Sequence, residues 1–216
     1  MAATDFALLQ LLHGVKDRAQ LAQAVASLRR HAPGLVAGDS EVFVGDAIEK
    51  GQTGPDRRVD LSGDPLFLVA TPLDRAVETT ALHDALAPLA GLGSRHETWI
   101  VQHQFERLSD TARADPRSDW LQIVMMNVDP AVDGEFNEWY EREHVARIAA
   151  VAPEFVSVRR MQALSGSPRY FALWRLTDRK APERDPWLSA SETPWTTRIR
   201  RFMRDRRRLL LAPWAA

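Results

Sequence analysis

The stretch 135–144, Glu-Phe-Asn-Glu-Trp-Tyr-Glu-Arg-Glu-His, is where residue types and spacing speak most directly of chemistry. On a helix advancing about 100° per residue, Phe136, Tyr140, Glu143 and Arg147 fall nearly on one line, with Trp139 on one side and His144 on the other. One reading makes the aromatic residues core and pairs Glu143 with Arg147 four residues on. The other makes Tyr140 and His144 the polar members of a mostly apolar pocket, with Phe136 and Trp139 as its walls, a common layout for small-ligand sites. Histidine suits acid or base work because its ordinary pKa lies near neutrality. A helix C-terminus near His144 would favour the imidazolium, and so a proton donor. Glu143 and His144 diverge by about 100°, so no direct dyad is expected between them.

Other candidates lie on strands. His13 ends the first apolar run, and Asn127 ends the corresponding run of the second half, so each could line a cavity mouth. His103 stands between Gln102 and Gln104, and strand alternation turns either the histidine or both amides inward. A lone strand histidine is more often a satisfied or exposed side chain than a catalyst. No His/carboxylate spacing of the kind transition metals need is present, so no metal is expected. Gly91-Leu-Gly93 closes a helix instead of opening one, unlike a phosphate loop, and there is no G-x-S-x-G elbow. The chain has no cysteine, which excludes disulfides and thiolate chemistry. The arginine run 198–208 reads as a solvated helix face leading into an edge strand. Lysine and arginine (28) nearly cancel aspartate and glutamate (29), which argues against a nucleic-acid partner.

The elements that must position these residues follow from period. In the 216 residues, 45% apolar and 26% charged, strands are expected at 6–12, 41–44, 65–70 and 98–105. Helices fall between them, one capped by Asp17, one following Pro72 with Asp74 as cap, and 49–64 reads as a loop or irregular hairpin. A polar connector, 109–119, separates this β-α-β-β-α-β order from a second copy: strand 120–128, a helix capped by Asp133 running to about 150, strands 155–164 and 170–176, a helix capped by Thr193, and strand 208–212. The fold class is therefore α+β: two tandem ferredoxin-like repeats, 1–108 and 120–216, whose sheets pair into one intramolecular barrel and bury each other's bare faces. Residues 1–5 carry no basic leader and 6–12 is too short to span a bilayer, so no membrane partner and a cytoplasmic location are expected.

The segment 135–144, followed by Pro153-Glu-Phe155, the pair Arg159-Arg160 and Tyr170-Phe-Ala-Leu-Trp174, resembles the dimeric α+β barrel superfamily, and within it the EthD-like branch with its FNxWYxxEH helix. The likeness covers about 120–178. Glu154 stands where that family usually has glycine, and the N-terminal half is similar in element order alone. The resemblance implies a small apolar cavity between sheet and helices. The superfamily includes polyketide cyclases, lactone isomerases, metal-free monooxygenases and haem-dependent enzymes. On this basis the expected function is a cofactor-independent enzyme for a small apolar, carbonyl-bearing or aromatic metabolite. It would act by proton transfer of isomerase, cyclase or lyase type, with His144 as acid or base and Tyr140 as hydrogen-bond partner. Trp139, Phe136, Asn127, His13, His103 and Arg160 would contact substrate. A non-catalytic small-ligand binder and a haem enzyme remain as rivals, and the fused unit could form a homodimer.

Overall fold

The computed structural model describes residues 4–48, 65–110 and 118–214, with the side chains of 46–48 excepted. Eight strands, β1 (Phe6–His13), β2 (Glu41–Ile48), β3 (Leu66–Leu73), β4 (Arg95–Leu108), β5 (Trp120–Val128), β6 (Phe155–Ala163), β7 (Tyr170–Leu176) and β8 (Met203–Pro213), close into an antiparallel barrel in the order β1-β3-β2-β8-β5-β7-β6-β4. Each half of the chain supplies four neighbouring strands, and the halves join at two seams, β2 with β8 and β4 with β6. At the first seam Gly45 lies against the backbone of Leu210, where a Cβ would collide with the Leu210 carbonyl oxygen. Glycine is what lets the two halves approach there.

The apolar runs read from sequence are continuous because both faces of each strand are covered. Ala7, Leu9 and Leu11 of β1 point into the barrel, where every strand contributes to one packed cluster that includes Phe43, Trp99, Ile123, Met161, Phe171 and Leu209. Leu8 and Leu12 point outward onto α1 (Arg18–His31) and α2 (His83–Ala90). The outer face of the second half packs against α3 (Asp133–Trp139), a π turn (Tyr140–His144), α4 (Val145–Val151), α5 (Asp185–Ser191) and α6 (Pro194–Arg200). Ion pairs sit at the barrel ends. His13 and Arg207 meet Glu97 at 3.3 and 2.9 Å, and Arg175 meets Glu41 at 2.7 Å.

Several expectations are corrected. β3 runs through Pro72 to Leu73, and the following helix starts only at 83 after a 3₁₀ turn. β2 pairs with β3 only as far as Ala70; beyond it Val36 bridges Leu73, and the Ala37 amide donates to the Pro72 carbonyl at 3.0 Å. Asp133 is the first residue of α3 and not its cap; its carboxylate accepts from the Tyr170 hydroxyl and pairs with Arg169 at 3.4 Å. The arginine run does not lead into an edge strand. Helix α6 stops at Arg200, and Arg204 to Arg208 lie in β8, a strand paired on both sides. Helix α5 has no counterpart among the expected elements. The loop expected at 49–64 and most of the connector lie outside the described residues. No helix among the described residues is long and apolar enough to cross a membrane.

Candidate active site

Between the outer face of the second half-sheet and its helices lies a cavity of about 290 Å³. The sheet supplies its floor: Gln122, Val124 and Met126 alternate along β5, and Trp174 rises from β7. Its roof is the segment 133–151, in which the Val145 amide donates to the Tyr140 carbonyl, five residues back. That i→i+5 bond makes the π turn. In an unbroken α-helix, residues five apart point about 140° away from each other. The widened turn instead overlays Trp139 and His144, whose rings stack at 4.6 Å with 27° between planes. Tyr140 meets the same imidazole edge-on at 5.0 Å.

The turn is held from behind. The Trp139 indole donates to Thr196 Oγ1 at 3.1 Å, and Thr193 donates to Glu143 Oε1 at 2.5 Å while capping α6 through the Thr196 amide. Glu143 is thus engaged by a threonine and does not pair with Arg147, whose Nε donates to the Ala190 carbonyl at 3.0 Å.

Arg200, Arg206 and Arg208 also line the cavity; among the described residues its one carboxylate is Glu192, which pairs with Arg200 at 2.6 Å. A register shift in the β5–β8 pairing brings Arg206 there. Asp205 adopts φ 52° at this bulge, a left-handed conformation that aspartate tolerates, and the bulge re-aims the following side chain. Asn127 ties the bulge down. Its Nδ2 donates to Asp205 Oδ2 and to Ser167 Oγ, both at 2.8 Å, and its Oδ1 accepts from the Arg169 amide.

Burial, followed by the charges of Arg206, Arg200, Arg208 and Arg160, pushes His144 down to about 3, so the imidazole is neutral at physiological pH. The expected imidazolium does not form. The helix continues seven residues beyond His144, to Val151, which removes the C-terminal dipole from its neighbourhood, and the surrounding charges are cationic. The Nδ1 of His144 is buried with no hydrogen-bond partner among the described residues. Burial raises the Tyr140 phenol above its ordinary value, opposed by the Arg160 charge and by Trp174, so it stays a protonated donor.

Of the residues singled out from sequence, Trp139, Tyr140 and His144 meet on the cavity wall. Phe136 and Arg160 stand behind it. Phe136 is fully buried, 5.7 Å from the Tyr140 ring, and the Arg160 guanidinium is buried over that ring at 4.2 Å, with Nη2 donating to Asn137 Oδ1. His13 closes the barrel against Glu97. His103 shares the facing of Val101 towards the barrel interior, leaving Gln102 and Gln104 exposed, and its buried Nε2 has no partner among the described residues. Asn127, His13 and His103 do not line this cavity. Sequence reasoning missed Gln122, Trp187, Ser191, Arg206 and Arg208. The alternation of Arg206, Arg208 and Leu210 against Arg207, Leu209 and Leu211 was the signal of a strand with one cationic face.

No family model and no curated protein matches the chain. Solved structures do. An anthrone oxidase-like protein aligns over 99% of this chain and 93% of its own, with TM-score 0.59 and 11% identity. A mutant chlorite dismutase from Candidatus Nitrospira defluvii covers 99% and 92%, at 0.58 and 9%. A monooxygenase candidate from Fusobacterium nucleatum subsp. nucleatum covers 100% and 94%, at 0.57 and 10%. The fold is that of the ferredoxin-like α+β barrels. At such identities the likeness carries architecture and leaves the reaction to be argued from the site.

Proposed function

We propose that the protein is a small-molecule enzyme that moves a proton at His144 in the cavity between the C-terminal half-sheet and its helices. The observation that carries this reading is a neutral imidazole whose buried Nδ1 has no partner among the described residues, flanked by a protonated phenol and three guanidinium groups. A neutral imidazole can take a proton from a carbon beside a carbonyl. Tyr140 donates a hydrogen bond to the carbonyl oxygen as it gains charge, and Arg206 and Arg208 supply the field that stabilises the resulting enolate. Such an anion offsets the cationic field that otherwise suppresses the imidazolium, so the proton is held while the enolate exists. Return of the proton to another carbon completes an isomerisation, with no oxidant and no net loss of atoms; cyclase- or lyase-type steps begin in the same way.

The FNxWYxxEH helix supports placing the chain in the EthD-like branch, and the four-plus-four strand arrangement supports its origin as two fused ferredoxin-like units, 1–108 and 120–216. The size of the cavity disfavours haem. At about 290 Å³ it lies at the lower bound of pockets for drug-sized ligands, below what a porphyrin requires. His144 also lies flat on Trp139 instead of standing clear as an axial ligand.

The test is exchange of the protons beside the ketone of 3-benzoylpropionate in D₂O, followed by proton NMR. Wild type is expected to exceed His144→Gln by about 10²-fold or more. Equal rates for the two proteins would remove the role given to His144.

A further inference from the structure

We propose that Gln122 selects the substrate, pairing its side-chain amide with a ring compound that carries an N–H or O–H beside its carbonyl, as a lactam does. This rests on the assignment of the cavity as the functional site and adds the class of molecule it takes. Gln122 lies on β5, on the face shared with Val124 and Met126, and is 3% exposed on the cavity floor. Its cross-strand neighbours are Trp174 on β7 and Leu210 on β8. Leucine offers no hydrogen bond, and the Trp174 indole serves the Tyr140 phenol. Among the described residues the Gln122 amide has no hydrogen-bond partner. A buried amide in that position destabilises the fold, because its lost bonds to water are not replaced.

The first half-sheet shows what a glutamine does on that face when helices cover it. Gln10 of β1 is fully buried between Leu8 and Leu12, which pack against α1 and α2, and its Nε2 meets the His96 ring at 3.2 Å. Gln122 opens on a cavity instead. Its planar carboxamide presents an acceptor and a donor side by side, the pattern that a cis amide answers with two parallel hydrogen bonds. A ring enforces that cis geometry. His144 Nδ1, buried without a partner among the described residues, offers a second unmatched polar atom to the same guest. Val124, Met126, Pro182, Leu188 and Met203 supply aliphatic surface for its carbon skeleton, and the small volume restricts it to one or two rings.

Calorimetric titration with 2-quinolone and coumarin tests this without any assay of turnover. The two share one shape and one carbonyl, but a ring oxygen replaces the lactam N–H in coumarin. Wild type is expected to bind 2-quinolone at least about tenfold more tightly. Gln122→Met, of similar length and without polar atoms, should bring the two ligands towards equal affinity. Its urea midpoint should match or exceed that of wild type, since it removes an amide that the fold does not use. Equal binding by wild type, which would mean that Gln122 faces water only, overturns the proposal, as does absence of 2-quinolone binding at millimolar concentration. A preference that survives in Gln122→Met, or a lowered midpoint showing the amide engaged within the fold, overturns it as well. His144→Gln should keep the preference. Failure of the proton-transfer reading therefore leaves the lactam preference standing, whereas failure of this inference leaves the exchange difference between wild type and His144→Gln standing.

Discussion

The imidazole of His144 lies on the indole of Trp139, ring centroids 4.6 Å apart, although the two residues are five apart on a helical segment. The π turn between them makes this possible, with the loss of one regular helical hydrogen bond. Removal of the stacking partner should therefore disturb the histidine more than the fold. Trp139→Leu is expected to keep the barrel while losing the stack and the Thr196 bond, destabilising by about 3 kcal/mol as a large buried aromatic is truncated. Urea denaturation reports the stability, and the histidine ring resonances report the loss of stacking.

His144 also makes stability depend on pH in a defined direction. Above about pH 6.5 the imidazole is neutral whether the chain is folded or not, and its contribution is fully present. As pH falls below that, the unfolded chain binds a proton that the folded chain refuses until about pH 3. Stability is lost on acidification through this window, by at most about 1.4 kcal/mol per pH unit from this group. His144→Gln should flatten that part of the profile between about pH 6 and pH 4, measured as the difference in urea midpoints between variant and wild type.

The chain contains two tyrosines, Tyr140 and Tyr170, so phenol ionisation can be followed cleanly by its ultraviolet absorbance. Burial is the leading cause that raises both. In a Tyr170→Phe background the remaining phenol should titrate above its ordinary value. Adding Arg160→Met should raise it further, because the guanidinium over the Tyr140 ring is the main group pulling it back. A downward movement on losing Arg160 would contradict this account of the phenol.

At the seam of the two halves, Gly45→Val places side-chain atoms where the backbone of Leu210 already lies. The strands must part, and a loss of about 1–3 kcal/mol is expected from forced overpacking. Chemical denaturation of the variant checks this. By contrast, Asn127→Ala should act through the bulge and the turn it ties together. A loss of about 1–3 kcal/mol is expected from partners left without their hydrogen bonds, read by urea denaturation.

Where hydrophobic period was strong, the elements were legible in sequence: β5 and β7 fall at the expected residues, and Asp17 and Thr193 cap helices through the Gln20 and Thr196 amides. The site was half legible. Trp139, Tyr140 and His144 stood out by type, but their relative facing did not, because stepping 100° per residue assumes an unbroken α-helix and the π turn changes that angle. Arg206 and Arg208 were hidden for a different reason. Ile199, Phe202 and Met203 carry helical spacing across the junction, which mimics a helix that runs on; yet it stops at Arg200, and Met203 joins the same core as the first residue of a strand. Side chains that pack on one core from two elements imitate a single period. Helix α5, short and led by Asp185-Pro186, offered too few turns to register.

The cavity centred on His144 is the claim on which the functional account stands. Nitrogen-15 NMR of the six histidine rings, at neutral pH and with 3-benzoylpropionate added to saturation, tests it most directly. The account predicts a neutral His144 ring in the unliganded protein whose nitrogen resonances move on binding, while those of His13, His31, His83, His96 and His103 stay in place. A charged His144 at that pH, or a bound ligand that leaves its resonances unmoved, would contradict it.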